Sequence, residues 1–171
     1  MKRTLLILIA SLVPLSATAE MYELEQLSAL FDKEARGIRA YTGGRYESAF
    51  NMLSETASRG MKESQYVLAL MFLKGEYVDK SILIGLGWLG VAIESGNEEW
   101  NKTFNTLYES MNDAQRAMVD AKVNDYVAKY GTVIQGIACK KRTAAGSRRI
   151  EVRCDKSVGN YPVHEIETSL N

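Results

Sequence analysis

Apolar positions recur at helical spacing along most of this chain. Residues 20–40 place Leu24, Leu27, Leu30, Phe31 and Ala35 on one side of a helix, which Thr42, Gly43 and Gly44 break. Residues 46–58 carry Ala49, Phe50, Leu53 and Ala57 on one face, and Gly60 ends that helix. A third helix is predicted over 62–73, closed by Gly75, a fourth over 81–94, closed by Gly96, and a fifth over 97–109. The sixth, over 112–130, opens on Asn112 with Gln115 three residues on, a capping-box pattern, and stops at Gly131. Six helices with short connections predict antiparallel neighbours.

The fourth helix has almost no polar face. Ile82, Leu83, Ile84, Leu86, Trp88, Leu89, Val91 and Ile93 fill it, and Gly85, Gly87 and Gly90 interrupt it. An interior glycine costs a helix about 1 kcal/mol relative to alanine. Two readings follow: a central helix covered on both sides, with glycines admitting neighbouring backbones, or an exposed apolar patch that receives a partner.

After Gly131 the period changes to two. Ile137 and Cys139 alternate with Ala138 and Lys140. Ile150, Val152 and Cys154 alternate with Arg149, Glu151 and Arg153. Residues 143–147 (TAAGS) separate the runs, so a β-hairpin is predicted. A turn at Gly146 and Ser147 sets Cys139 opposite Cys154 and Arg142 opposite Glu151, an attractive cross-strand pair. Ile137, Ile150 and Val152 are expected to dock on the last helices.

Residues 62–97 (KESQYVLALMFLKGEYVDKSILIGLGWLGVAIESGN) resemble a Sel1-like repeat, a tetratricopeptide-like helix pair. The matching positions are Ser64, Leu68, Ala69, Phe72, Gly75, Val78, Gly85, Trp88, Ala92, Ile93 and Gly96. Ser81 stands where the family has Asp, and both are good helix caps. Tyr77 replaces the second glycine of the family's loop. Gly60 and Gly96 end successive helices 36 residues apart, which makes the preceding helix pair a degenerate unit. The resemblance implies a short α-solenoid of antiparallel helix pairs that binds another protein. It places a groove on the first helix of each unit, here Arg36, Arg39 and Tyr41 with Gln65 and Tyr66.

The first nineteen residues read as a secretory signal peptide. Lys2 and Arg3 precede an apolar run from Leu5 to Val13, and Ala17, Thr18 and Ala19 supply an A-x-A cleavage site. The rival reading is an uncleaved N-terminal anchor. The expected layout is a signal peptide (1–19), a helical repeat domain (20–131) and a hairpin with tail (132–171). No later segment is long and apolar enough to cross a membrane. A periplasmic or secreted location follows. In an oxidising compartment Cys139 and Cys154 are expected to pair, contributing about 3 kcal/mol by restricting the unfolded chain.

Charge adds one feature. The formal net charge is zero, with 21 basic and 21 acidic residues. The chain from Cys139 onward is basic and the rest acidic. Lys140, Lys141, Arg142, Arg148, Arg149 and Arg153 form one cluster. It either guards an exposed strand edge or contacts an anionic envelope polymer or lipid head group. Nucleic acid is not expected, because few aromatics interleave with these charges.

No enzyme constellation is found. His164 is the single histidine, so no triad can be assembled. Phosphate-binding and metalloprotease motifs do not occur. Cys139, Cys154 and His164 do not supply a tetrahedral zinc set. The expectation is therefore a protein without a cofactor that binds another envelope protein, with self-association as a further way to complete a short groove.

Overall fold

The computed structural model describes residues 15–144, 146, 148 and 150–169, with side chains described from residue 21. Most of the expected signal segment, the turn residues 145 and 147, and Arg149 lie outside the described residues. The protein is mainly helical, with a C-terminal hairpin. Its elements are α1 (Leu15–Thr42), α2 (Tyr46–Ser58), α3 (Lys62–Lys74), α4 (Ile82–Ala92), a 3₁₀ turn (Ile93–Ser95), α5 (Glu98–Glu109), α6 (Asp113–Tyr130), β1 (Ile137–Thr143) and β2 (Ile150–Lys156).

The caps predicted at Ser81 and Asn112 form, and the structure adds one at Asn97. Ser81 Oγ accepts from the Ile84 N–H at 3.2 Å. Asn97 accepts from Glu99 and Trp100 at the start of α5, and Asn112 with Gln115 completes a capping box on α6. Gly60 and Gly96 have φ of +87° and +79°, a left-handed conformation that glycine adopts without steric cost. Tyr77 takes the same conformation at φ +71°, and its ring packs 5.5 Å from that of Phe50.

The first four helices form two antiparallel pairs. Gly37 of α1 lies against Leu53 of α2, and Lys33 reaches Glu55 at 2.6 Å. The Lys62 end of α3 meets the Val91 end of α4, while Gly85 near the start of α4 lies against Leu73 near the end of α3. α1 has 28 residues and α2 only 13, which is about 42 Å against 20 Å of helix. The N-terminal half of α1 therefore outruns its neighbour. Leu24, expected on the core face, is 52 % exposed and Phe31 37 %, while Leu30 is buried.

α4 is the central helix, the first of its two readings. Residues 84 to 92 are all buried. Gly85 admits α3, while Gly87 and Gly90 admit Tyr126 and Val123 of α6. Trp88 stacks on Tyr130 with ring centres 4.7 Å apart and tilts against Tyr126 at 4.9 Å. This aromatic group joins α4 to α6.

The hairpin register is the predicted one, with Cys139 opposite Cys154 and Arg142 opposite Glu151. The disulfide Cys139–Cys154 is formed, at 2.06 Å. Its seat differs from expectation. Ile137 is buried above Gly60 at the α2–α3 turn, and both strands border the 3₁₀ turn. Ile150 is 67 % exposed, because that end of the hairpin runs past the helices. The tail covers the last helix instead. Glu167 binds Lys122 at 2.7 Å and Tyr126 at 3.0 Å, and Tyr130 donates to the Glu165 carbonyl at 2.7 Å.

A Cβ at Gly90 would overlap the side-chain carbons of Val123. That overlap outweighs the gain of about 1 kcal/mol that alanine has over glycine in a helix. Gly90→Ala is therefore expected to lower the unfolding free energy by about 1–2 kcal/mol in urea titrations. A rise in stability would contradict the close α4–α6 approach.

Candidate functional site

A cleft of about 390 Å³ opens where α1, the starts of α3 and α5, and the hairpin converge. From α1 come Phe31, Glu34, Ala35 and Ile38, which share one helix face. α3 and its N-cap contribute Met61, Lys62 and Glu63. The start of α5 contributes Asn97 and Trp100. Consecutive residues of β2, from Glu151 to Cys154, form the remaining wall.

Glu34 caps a helix that cannot cap itself. The N-cap of α3 is Met61, whose side chain makes no capping hydrogen bond. Glu34 accepts instead from the Ser64 N–H at 3.0 Å and from the Ser64 hydroxyl at 2.8 Å. A carboxylate at a helix N-terminus also meets the positive end of the helix dipole. Burial nevertheless holds the Glu34 carboxyl above its ordinary pKa, against these two hydrogen bonds. The carboxylate of Glu63 pushes it further up.

Lys62 forms the floor. Its ammonium donates to Gln65 Oε1 at 3.0 Å, to the Val91 carbonyl at 3.0 Å and to Glu94 at 2.9 Å. These three bonds match its three N–H donors. Burial lowers its pKa, and Glu94 opposes that shift. Glu94 also accepts from the Thr132 N–H at 2.9 Å.

The residues expected to bind a partner divide four ways. Gln65 is a correction. It is fully buried, and its amide donates to the carbonyls of Ala57 and Tyr130 at 3.0 and 2.9 Å. It serves the interior, where its amide joins the carbonyls at the ends of α2 and α6. Arg36 and Arg39 are exposed but do not line the cleft; they lie off the α1 face that carries Glu34 and Ile38. Tyr41 is half-buried and accepts from Lys74 at 2.9 Å. Tyr66 stacks on Trp100, with centres 4.5 Å apart and planes 9° apart, and so braces the cleft wall. Glu34 and Trp100 carry no local signal in the sequence, although the absence of a capping residue before α3 hints at an outside acceptor.

Lys140 stands opposite Arg153 in the hairpin register, and the other residues of the basic cluster differ in how they are engaged. Lys141 pairs with Glu98 at 2.7 Å and holds that carboxyl below its ordinary range. Arg142 faces Glu151 in register but reaches Asp155 at 3.2 Å. Arg153 lines the cleft. Lys140 and Arg148 are exposed, and Arg149 lies outside the described residues.

Among the described residues no three His, Cys, Asp or Glu side chains group closely enough to hold a metal ion, and no helix is long and apolar enough to cross a membrane. Comparison with protein-family models, curated proteins and solved structures gives no match.

Two outcomes follow from the cleft. Glu94→Ala strands a buried ammonium and is expected to cost about 3 kcal/mol or more. Lys62→Met should cost less, because Glu94 is partly exposed and keeps the Thr132 N–H; urea denaturation of both variants checks the order. For Glu34, the folded state retains a proton at pH values where the unfolded chain has released it. Stability from this group therefore falls as pH rises from the ordinary carboxyl value through the raised one. Glu34→Gln should remove that slope, read as a wild-type-minus-variant stability difference that declines with rising pH and then levels off.

Proposed function

We propose that this protein is a periplasmic or secreted protein-interaction module that holds a polypeptide of another envelope protein in the cleft between α1, α3, α5 and the hairpin. The observation that carries this reading is the cleft itself. It is lined by α1 and α3, the first helices of the two antiparallel pairs, and by the start of α5, on the side where a Sel1-like solenoid would present its binding face. The two antiparallel pairs, the left-handed glycines 36 residues apart, the Ser81 cap, and Tyr77 in the conformation of the glycine it replaces all support the repeat reading. The disulfide supports an oxidising compartment, the destination of a chain with a cleaved signal segment.

The cleft favours recognition over turnover. The Lys62 donors are all engaged, and both Ser64 donors go to Glu34, so neither group offers an unpartnered nucleophile or base. Apolar Phe31, Ala35, Ile38 and Trp100 beside paired polar groups suit a polypeptide with alternating side chains. The competing reading, an anionic polymer on the hairpin, is weakened by the ion pairs that engage Lys141 and Arg142.

A photo-crosslinking residue at Ala35 or Ile38 is expected to capture one distinct polypeptide in living cells. Capture should persist when Lys140, Arg148 and Arg153 are neutralised. Crosslinks obtained only from position 148 and lost on neutralisation would overturn this reading in favour of the anionic polymer. Crosslinks solely between two copies of this chain would replace the envelope partner with self-association.

A further inference from the structure

Two cations without a counter-charge share a second cavity, of about 430 Å³, between the N-terminal half of α1, the end of α2 and the segment after β2. Arg59 enters from the C-terminal cap of α2, and Lys156 is the last residue of β2. Among the described residues neither forms an ion pair. The Nε of Arg59 is buried with no hydrogen-bond partner. The Lys156 ammonium donates to the Gln135 carbonyl at 2.6 Å and lies 4.2 Å from the centre of the Tyr161 ring. That arrangement neutralises none of its charge and leaves donor capacity unused.

The surrounding groups do not supply the missing anion. Lys33 and Glu55, which also border the cavity, are paired with each other at 2.6 Å. Glu23 also lines the cavity, on the exposed part of α1, and among the described residues forms no ion pair with either cation. Burial and the charge of Arg59 push Lys156 down to about 8. Two like charges partly withdrawn from water repel each other, and an anion between them would reverse that repulsion. Leu27, Leu30 and Val158 supply an apolar wall, beside polar Gln26, Ser157 and Asn160.

We propose that this cavity binds a small oxyanion, a carboxylate or phosphate group, between the Arg59 guanidinium and the Lys156 ammonium, with the apolar wall receiving a short hydrocarbon body attached to it. A guanidinium fork beside a compact ammonium is suited to such a group: the first gives paired donors, the second a point charge. The site is separate from the cleft and does not depend on the protein-interaction reading.

The test is a titration of the full chain with hexanoate, its neutral counterpart hexanamide, and inorganic phosphate, followed by NMR. Hexanoate is expected to shift the amides of Arg59 and Lys156 and to raise the midpoint of the Lys156 side-chain titration; hexanamide should do neither. Displacement of hexanoate by phosphate would identify the anion alone as sufficient, whereas binding of hexanoate without phosphate binding would identify a carboxylate that also needs the apolar wall. Arg59→Gln and Lys156→Gln should each weaken hexanoate binding about tenfold or more, the scale of one charge-assisted hydrogen bond. Equal binding of hexanamide and hexanoate, or no response to either hexanoate or phosphate, would overturn the proposal. Those comparisons use the wild-type chain, so they stand even if a variant fails to fold.

Discussion

The buried ammonium of Lys62 ties the helical body together. A charge withdrawn from water is tolerated only when every donor is met, and each of its partners lies at a helix terminus or in the same turn. Val91 lies at the end of α4 and Glu94 in the 3₁₀ turn that follows it. Glu94 continues to the first residue pair beyond α6 through Thr132. Gln65, which accepts from Lys62, passes its own donors to the last carbonyls of α2 and α6. Four helix ends thus meet at one polar node beside the hydrophobic core. Hydrophobic contact sets which faces meet; the node sets how far along its axis each helix sits.

Local signals in the sequence were strong, and what they encode is present. Asn112 with Gln115, Ser81, Gly60 and Gly96 act within a few residues of themselves, so their roles can be read without knowing the fold. The apolar α4 was readable for the same reason: a helix without a polar face has to be covered. Gln65 shows the opposite case. A polar residue on a first helix looks like part of a binding surface. Its role depends on carbonyls supplied by Ala57 and by Tyr130, 65 residues away in sequence. Glu34 acts on Ser64 across 30 residues, and no spacing rule connects them.

The hairpin divides in the same way. Its pairing was legible because period-two patterning and two cysteines constrain each other. Its seat was not. The contact at Gly60 depends on the absence of a side chain at a turn distant in sequence, and the surface expected for the hairpin is taken by a tail with no periodic pattern. Tyr126 and Tyr130 show how firmly that tail sits. Burial, with nearby carboxylates, raises both phenols, Tyr130 to about 12, so both stay protonated. As neutral phenols they keep donating to Glu167 and to the Glu165 carbonyl.

The pairing of α3 with α4 is fastened at both ends. Lys62 reaches Val91 and Glu94 at one end, and the Ser81 N–H donates to the Phe72 carbonyl at 2.9 Å at the other. A single residue inserted into either helix would turn everything beyond it by about 100° and advance it by about 1.5 Å, so one of the two fastenings would miss its partner. No such constraint acts on the part of α1 that outruns α2. Natural variation in chain length should therefore collect in that overhang and at the hairpin tip, while α3 and α4 keep a fixed number of residues.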